Sequence, residues 1–342
     1  MATIREIARE ADVSVGTVSN VLNNPEAVSV ATRQRVLDVI SAHNYRPNTI
    51  ARSLATGQTL AIGLIISSIT NPFFAELAAG VLEAAQAANC PVLIAESGHD
   101  SRDLSRRVDR LVQQRVDGIL LASPPPAEAG SASRNLGATP VVVMADHDDQ
   151  AGSTSSSVVG LLEFDWRSAG YSATRHLLDL GHRRIGHVGG IPGRASTARR
   201  AEGYRQALAE ASVPGDAELV RSGDLLVESG YTGTIDLLHL REPPTALVLA
   251  SDLMALGALR AAGELGLRVP RDLSLVGMDD IPLASWMSPP LTTVHVPARA
   301  LGRRGLQMLL EARAPDAEPR RLVLPTRLVV RGSTGPPNRE RQ

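Results

Sequence analysis

The sequence contains no lysine, so all 35 of its basic side chains are arginines. A Walker A phosphate loop depends on its lysine, and this chain is therefore not a P-loop NTPase. Cys90 is the single cysteine, which excludes an internal disulfide and favours a reducing compartment. The sequence has no run of about 18 apolar residues and no basic segment leading into an apolar core at its amino terminus. We therefore expect no transmembrane helix, no secretory signal and a cytoplasmic location.

The composition is that of a globular protein. Hydrophobic residues make up 43% of the 342 residues, and the mean hydropathy is −0.02. The net charge of −1 shows that the chain as a whole is no polycation. The length is sufficient for a small domain followed by two domains of medium size.

The stretch Thr3–Asn23 has the apolar spacing of two short helices. Ser14 precedes the second helix and is predicted to be its N-cap, because a serine hydroxyl can accept a hydrogen bond from the first helical turn. Two helices joined by a tight turn can place one helix in a DNA major groove, or can simply pack on a core as an αα-hairpin. The apolar positions of the two helices are Ile4, Ile7 and Ala8, then Val18, Val21 and Leu22.

The letters T-I-x-x-I-A-x-x-A-x-V-S-x-x-T-V-S-x-V-L-N in this stretch closely resemble the headpiece of the LacI/GalR family of bacterial transcription regulators. The resemblance implies binding to double-stranded DNA, with Val15, Gly16 and Asn20 at the base-reading positions. Commoner members carry larger polar residues at the first two positions and often arginine at the third, so the resemblance does not imply an operator sequence. Thr17 and Ser19 are expected to position phosphates. The DNA contacts expected in this segment are Thr3, Ser14, Val15, Gly16, Thr17, Ser19, Asn20 and Asn23.

A third helix is predicted over Thr32–Asn44, with Thr32 or Ser29 as its cap, and Pro47 ends this region. The following segment, Asn48–Thr56, is a short helix candidate. Isolated helices of fewer than about 12 residues are marginal in water, so we predict that this one forms only on DNA.

This short segment resembles the hinge helix of the same family. The resemblance implies that Leu54 is an apolar wedge inserted into the minor groove, with Ala51 beside it and Arg52 near the DNA backbone. Such wedges are effective when two of them meet across a dyad, so they predict a homodimer. The alternative is a flexible linker in which Leu54 is incidental.

From Leu60 onward, continuous apolar runs alternate with amphipathic helices. This pattern indicates buried parallel sheets built from βαβ units. The region exceeds what a single core usually holds, so we predict an α/β fold with two doubly wound subdomains and a cleft between them. The predicted strands lie in Leu60–Ile66, Pro91–Ala95, Gly118–Ala122, Pro140–Ala145, Ile185–Val188, Ala246–Ala250 and Leu273–Gly277. The predicted helices are Phe73–Ala88, Ser101–Arg115, Arg167–Leu180, Arg199–Ala211, Ser229–His239, Leu253–Leu265 and Pro297–Glu311.

Residues 60–334 also resemble the effector-binding core of the LacI/GalR family, which is similar to periplasmic sugar-binding proteins. The matching letters include N-P-F-F at Asn71, G-H-R-R-I at Gly181 and R-A-E-G-Y at Arg200. The resemblance implies that the chain crosses between subdomains near Asp165, Leu291 and Leu324. The predicted domains are a headpiece over 1–47, a hinge over 48–58, the core over 60–334 and a tail over 335–342.

Four residues are the strongest candidates for ligand contact. Phe73 and Phe74 follow a strand and open a helix, where either ring could cover the face of a sugar or base, although both would also suit a core. By resemblance, Arg200 and Asp279 bracket the hydroxyls or ring nitrogens of a ligand. An arginine fork donates and a carboxylate accepts, as a vicinal diol requires. The alternative for this pair is a salt bridge between the subdomains.

The remaining candidates are weaker or depart from the family pattern. Ser251 stands where an asparagine is usual, and Leu225 stands where some members stack an aromatic ring, which counts against a planar purine. Trp166 replaces the asparagine that usually follows Asp165. We interpret Trp166 and Trp286 as packing residues. The weaker ligand candidates are Asp146, Arg194, Ser196, Leu225 and Ser251.

Signals for catalysis and for bound metals are absent from the sequence. The motifs G-x-S-x-G, H-E-x-x-H and G-x-G-x-x-G do not occur, and His147 lies in a Ser-rich loop (146–157) that is a poor metal site. We predict no enzyme activity, cofactor or metal. The tail lacks leucine heptads, so a dimer rather than a tetramer is expected, with its interface drawn from Phe74–Ala88 and Val276–Trp286.

These observations predict a ligand-responsive transcriptional regulator, most simply a repressor of carbohydrate metabolism, that binds a near-palindromic operator. One alternative is a sugar-binding protein of the transport type, which the headpiece and the missing signal contradict. Another is a regulator that responds to a nucleobase or nucleoside corepressor, and an enzyme ranks third. The sequence does not distinguish induction from corepression.

Overall fold

The computed structural model describes residues 2–45, 59, 61–98, 101–122, 137–145, 157–312 and 318–338. The chain forms two compact units, residues 1–60 and 61–342. The predicted hinge contacts Ala51, Arg52 and Leu54, and the ligand candidate Asp146, lie outside the described residues.

The first unit contains helices α1 (Ile4–Glu10), α2 (Val15–Asn23) and α3 (Val30–Ala42), with a 3₁₀ turn at Pro25–Ala27. The two predicted short helices are confirmed, and so is Ser14 as the cap of α2. Helix α3 starts two residues before Thr32, because the Ser29 hydroxyl accepts a hydrogen bond from the Thr32 amide at 3.3 Å. The buried core of this unit consists of Ile7, Ala8, Ala11, Val18, Val21 and Val36.

Two six-stranded sheets make up the second unit within the described residues. In the first sheet the order is β11-β5-β4-β3-β1-β2, and every pair is parallel. In the second the order is β12-β10-β9-β8-β6-β7, and only β12 runs antiparallel to its neighbour. The first sheet comprises β1 (Ile62–Ile66), β2 (Val92–Glu96), β3 (Ile119–Leu121), β4 (Val141–Ala145), β5 (Val158–Phe164) and β11 (Arg320–Leu324). The second comprises β6 (Ile185–Val188), β7 (Val220–Arg221), β8 (Ala246–Leu249), β9 (Ser274–Asp279), β10 (Thr292–His295) and β12 (Arg327–Val329).

Helices cover both faces of the sheets, as the predicted doubly wound architecture requires. The bounds of these helices are α4 (Pro72–Ala87), α5 (Ser101–Gln113), α6 (Trp166–Asp179), α7 (Ala195–Glu210), α8 (Val227–Leu238), α9 (Asp252–Glu264) and α10 (Ala298–Glu311), with 3₁₀ turns at Ala217–Leu219 and Pro282–Trp286. No helix among these has the length and apolarity to cross a membrane.

The chain passes between the sheets at three places, and one differs from the prediction. The first follows β5 at Asp165, and the third lies between Leu324 and Arg327. The second lies at Val296–Pro297 rather than near Leu291, because Thr292–His295 still pairs with β9 of the second sheet. Strand β10 is absent from the strands predicted from the sequence, because its two threonines and one histidine interrupt the apolar pattern that marks the other strands.

Helices α6 and α7 pack unusually closely, and this packing places Arg200. A methyl group on Gly203 would lie 2.0 Å from the Arg167 carbonyl oxygen, and one on Gly170 would lie 2.1 Å from the Arg200 carbonyl oxygen. Only glycine permits this approach. Helix α7 begins at Ala195, one turn earlier than the predicted Arg199, so its first turn also carries Ser196.

Candidate effector cleft and DNA-reading helix

A narrow cavity of about 50 Å³ lies where the carboxyl ends of strands from both sheets meet. Parallel α/β sheets bind ligands at this edge. Eight of the nine predicted ligand residues line it, and the ninth, Asp146, lies outside the described residues. The lining consists of Asn71, Phe73, Phe74, Ala122, Ala145, Trp166, Arg194, Ser196, Arg200, Leu225, Ala250, Ser251 and Asp279.

The amino terminus of α4 supplies the aromatic side of the cavity. The Asn71 side chain caps this helix by accepting a hydrogen bond from the Phe73 amide at 3.0 Å. Phe73 is buried and meets Phe74 edge-to-face at 5.0 Å and Phe164 at 6.2 Å. Phe74 is half-buried. Phe73 is therefore both a core residue and a wall of the cavity, while Phe74 presents the more accessible ring.

Arg200 projects from α7 and is only 4% exposed. Its guanidinium carbon lies 3.6 Å from the centroid of the Trp166 ring, a stacked cation–π contact. The Trp166 indole N–H donates to the Ala145 carbonyl at 2.9 Å, and its ring meets Phe164 edge-to-face at 5.2 Å. Trp166 therefore holds the guanidinium at the cavity from the first crossing between the sheets.

The interpretation of Trp166 as packing alone was incomplete, since it also lines the cavity. Trp166 stands where the family usually has asparagine, and this departure was the one sign in the sequence that Trp166 belongs to the ligand site. The same interpretation of Trp286 is wrong for the single chain, in which this side chain is 82% exposed.

Asp279 ends β9 with a left-handed backbone, φ 115°, which is a strained conformation for a residue other than glycine. Burial raises the pKa of Asp279 well above its ordinary value, and the charge of Asp252 raises it further, while Arg200 opposes both effects. Arg200 and Asp279 both line the cavity, one from α7 and the other from the end of β9.

Asp252 holds the backbone next to Asp279 in place through two hydrogen bonds. It is fully buried and accepts hydrogen bonds from the Thr293 hydroxyl at 2.5 Å and from the Ile281 amide at 2.9 Å. Burial raises the pKa of Asp252 from 3.8 to about 7. These bonds tie α9 to the backbone just beyond Asp279.

The remaining polar candidates differ in how they are held. The Ser251 hydroxyl accepts from the Met254 amide at 3.2 Å and donates to the Leu225 carbonyl at 3.0 Å, so it caps α9 and fixes the Leu225 loop. Leu225 itself has φ 70° and offers the cavity an apolar side chain. Arg194 is the N-cap residue of α7, and Ser196 is buried in the first turn of that helix. Asn71 lines the cavity but was not among the predicted ligand residues, although it begins the matched N-P-F-F letters two residues before Phe73.

In the headpiece, α2 exposes the residues at the predicted base-reading positions. Val15 is 41% exposed, and Gly16 and Asn20 are also exposed, one helical turn apart. Thr17 and Ser19 are half-buried. This surface offers one amide side chain, one apolar side chain and a glycine that permits close approach of the backbone.

Two of the predicted DNA contacts, Ser14 and Thr3, also serve as helix caps. The Ser14 hydroxyl accepts from the Thr17 amide at 3.0 Å. Thr3 and Glu6 form a capping box, and the bond from the Thr3 backbone amide lowers the pKa of Glu6. Asn23 is the last residue of α2, and its side chain lies outside the described set.

Within the described residues no group of three or more His, Cys, Asp or Glu side chains is arranged to hold a metal.

Comparison with known proteins places the chain in a family. Residues 3–48 match the model of bacterial regulatory proteins of the lacI family, and residues 174–334 match the periplasmic binding protein-like domain. The ribose operon repressor of Haemophilus influenzae is 36% identical over 97% of this chain and 98% of its own length. The chain belongs to the LacI family.

Other members of the LacI family are similar over comparable lengths. The HTH-type transcriptional repressor PurR of Mannheimia succiniciproducens is 34% identical over 97% of this chain and 98% of its own. The lac repressor dimer bound to operator and the anti-inducer ONPF has a TM-score of 0.85 and 30% identity, covering 98% of this chain and 99% of that one. The complex of the transcriptional regulator CelR with cellobiose has a TM-score of 0.73 and 33% identity, over 97% and 100%. The predicted headpiece and core are thus found together, in the same order, in proteins of known structure.

Proposed function

We propose that this chain is a ligand-responsive transcriptional repressor that binds a near-palindromic operator as a homodimer and takes a sugar in its cleft. The observation that carries the proposal is that eight residues predicted from the sequence line one cavity, in a chain that also carries a LacI-family headpiece. A sugar has an apolar face and hydroxyl edges. The Phe74 ring can cover the apolar face, and the arginine, buried aspartate and serines of the lining can bind the hydroxyls.

The proposed mechanism is a two-state switch. The ligand draws the two sheets together around the cleft and changes the balance between paired and unpaired hinge helices, whose Leu54 wedges contact the minor groove. A decisive shift requires about 5 kcal/mol of differential affinity between the two states. Such a regulator turns over no substrate and works in the bacterial cytoplasm, in contact with the nucleoid.

Homodimerisation is supported by the exposed apolar side chains in both segments predicted to form the interface. Leu82 of α4 is 45% exposed, and Leu283 and Trp286 in the 3₁₀ turn are 43% and 82% exposed. Large apolar groups of this kind are commonly covered in an assembly.

A nucleobase corepressor is the second candidate. The three aromatic rings of the cavity, from Phe73, Phe74 and Trp166, and the similarity to PurR repressors favour it. The apolar Leu225, which stands where a stacking ring would help, counts against it.

Thermal unfolding of the purified chain tests the ligand class. The panel contains monosaccharides, disaccharides, polyols, nucleosides and nucleobases. A ligand at 100 times its Kd adds about 2.7 kcal/mol to the free energy of unfolding, which shifts the midpoint by several degrees. A sugar that raises the midpoint supports the proposal, a purine supports the second candidate, and an absence of any shift across the panel contradicts both.

Operator binding tests the DNA-binding half independently. Leu54→Ala is expected to abolish specific operator binding while leaving the unfolding midpoint of the protein nearly unchanged. Intact specific binding by this variant would rule out the wedge.

A further inference from the structure

A second cavity, which we call the outer groove, lies on a different face of α7 from the cleft. It is an open groove of about 570 Å³ that runs between α7 and the edge strand β7, with the end of β6 at its base. Arg194 is the single lining residue that it shares with the effector cavity. Ser196 and Arg200 face the cleft, whereas Thr197 and Arg205 line the outer groove.

His187 gives this groove a buried hydrogen-bond acceptor. The side chain is 1% exposed, and its ring stacks on Tyr204 at 5.1 Å. Nδ1 lies 3.3 Å from the Val248 carbonyl, which can only accept, so the proton resides on Nδ1 and Nε2 is left as an acceptor. Burial lowers the pKa of His187 to about 4, so the ring is neutral near pH 7.

Nε2 of His187 has no hydrogen-bond partner among the described residues. It points toward the groove wall at Gly189, where an added methyl group would touch it at 3.4 Å. The Thr197 hydroxyl, also in the lining, is likewise buried without a hydrogen-bond partner in the described part of the chain. Buried polar atoms usually have partners, so two such atoms on one groove indicate that a ligand completes them.

The charge of the groove favours an anion. Its lining carries Arg194, Arg199, Arg205 and Arg221 against the single carboxylate of Glu202. Arg199 pairs with Glu163 at 3.2 Å, and Arg221 lies 3.9 Å from Asp236. Even with both acids counted, the arginines outnumber the carboxylates. The 16-residue helix α7 also begins here, and its N-cap forms no side-chain hydrogen bond to the first turn.

We propose that the outer groove binds a small phosphate ester that also carries a hydroxyl group, such as a sugar phosphate. The phosphate pairs with Arg205 and Arg221, and the hydroxyl donates to Nε2 of His187. The inference does not depend on which ligand occupies the cleft.

Titration calorimetry of the full-length protein tests this assignment, with glucose 6-phosphate, ribose 5-phosphate and glycerol 3-phosphate as probes. At least one ester is expected to bind the wild type, and Arg205→Gln is expected to weaken that binding by about tenfold or more, because a charge-assisted hydrogen bond is lost. Arg205 is exposed, so this variant should fold normally. Arg175→Gln on α6, outside the groove, is the matched control and should bind like the wild type.

His187→Phe tests the acceptor. Its ring can keep the stacking on Tyr204 while removing Nε2, so it should weaken the ester but leave the weaker binding of inorganic phosphate unchanged. Failure of all three esters to bind at millimolar concentration would overturn the proposal. So would ester binding that survives Arg205→Gln and disappears in Arg200→Ala, because the ester would then occupy the cleft.

Discussion

The two walls of the effector cleft are built from different chemistry. The first sheet contributes Phe73, Phe74 and two alanines, with Asn71 as its single polar residue. The side of the second sheet contributes two arginines, two serines and Asp279, together with the apolar Leu225 and Ala250. The apolar wall is an extension of the first hydrophobic core, since Phe73 packs on Phe164. The polar wall requires its own support, which Trp166 and Asp252 provide. We infer that one wall supplies contact area and the other supplies recognition.

The largest effect is expected from separating the helices that carry the polar wall. Gly203→Ala places a methyl group 2.0 Å from the Arg167 carbonyl oxygen, so α6 and α7 must move apart. We expect a loss of about 1–3 kcal/mol in the free energy of unfolding and a midpoint lower by several degrees. Gly263→Ala in α9, where an added methyl has nothing within 4 Å, is the control and should be neutral or slightly stabilising. Equal midpoints for the two variants would contradict the close approach.

Arg200→Ala removes the charged donor of the polar wall. We expect effector affinity to fall by about 10- to 100-fold, since a hydrogen bond to a charged group contributes about 1.5–3 kcal/mol. Operator affinity without effector should not change. Isothermal titration with the identified effector checks the first point. The control is Arg167→Ala, which changes an exposed residue of α6 outside the cavity. If this control binds effector as weakly as Arg200→Ala does, Arg200 is not a specific effector contact.

Phe74→Ala tests the apolar wall. Loss of a half-buried ring should weaken the effector by about 0.5–1.5 kcal/mol, or roughly 2- to 12-fold, and so by less than Arg200→Ala. Tyr231→Ala, which removes a half-buried ring of α8 outside the cavity, is the matched control. A larger loss from Phe74→Ala than from Arg200→Ala would reverse the division of roles between the walls.

The smallest effect on binding is expected from Asp279→Asn. Burial and the charge of Asp252 raise the pKa of Asp279, so the folded chain favours the protonated carboxyl more than the unfolded chain does. Asparagine resembles the protonated carboxyl in shape and polarity, so affinity should change by less than about threefold, whereas Asp279→Ala should weaken binding clearly.

The same two acids predict how stability depends on pH. The raised pKa values mean that the folded state binds more protons than the unfolded state above pH 4. The contribution of Asp279 and Asp252 to stability therefore falls as pH rises from about 4 to about 7, where the Asp252 pKa lies. Thermal unfolding across this range should show a shallower decline for Asp279→Asn than for the wild type. An equal or steeper decline would contradict the raised pKa of Asp279.

The sequence predicted the parts of the molecule that are set by local pattern. The headpiece helices and the Ser14 cap follow from spacing over a few residues, and the continuous apolar strands follow from burial on both faces. Strands such as β10 and β11 escaped notice because threonines or arginines interrupt their apolar pattern. The support of Arg200 by Trp166 was also invisible, since it joins two helices that meet only in the folded chain.

The candidate site was predictable to the extent that family letters marked it. The family resemblance identified Arg200 and Asp279. It did not identify the residues and backbone geometry that hold these two side chains in place. The strained backbone of Asp279 and the burial of Asp252 depend on the register of β8, β9 and β10, which no single stretch of sequence encodes. The bond from Ser251 to the Leu225 carbonyl is also non-local, whereas its cap on α9 is local.

The most direct test of the account is operator affinity measured with and without the identified effector, for the wild type and for Arg200→Ala. Fluorescence anisotropy of a labelled near-palindromic operator should show a change of at least tenfold for the wild type on addition of effector. The Arg200→Ala protein should bind the operator equally well and show no change at the same effector concentration. A normal effector response in Arg200→Ala would contradict the assignment of the cleft as the switch.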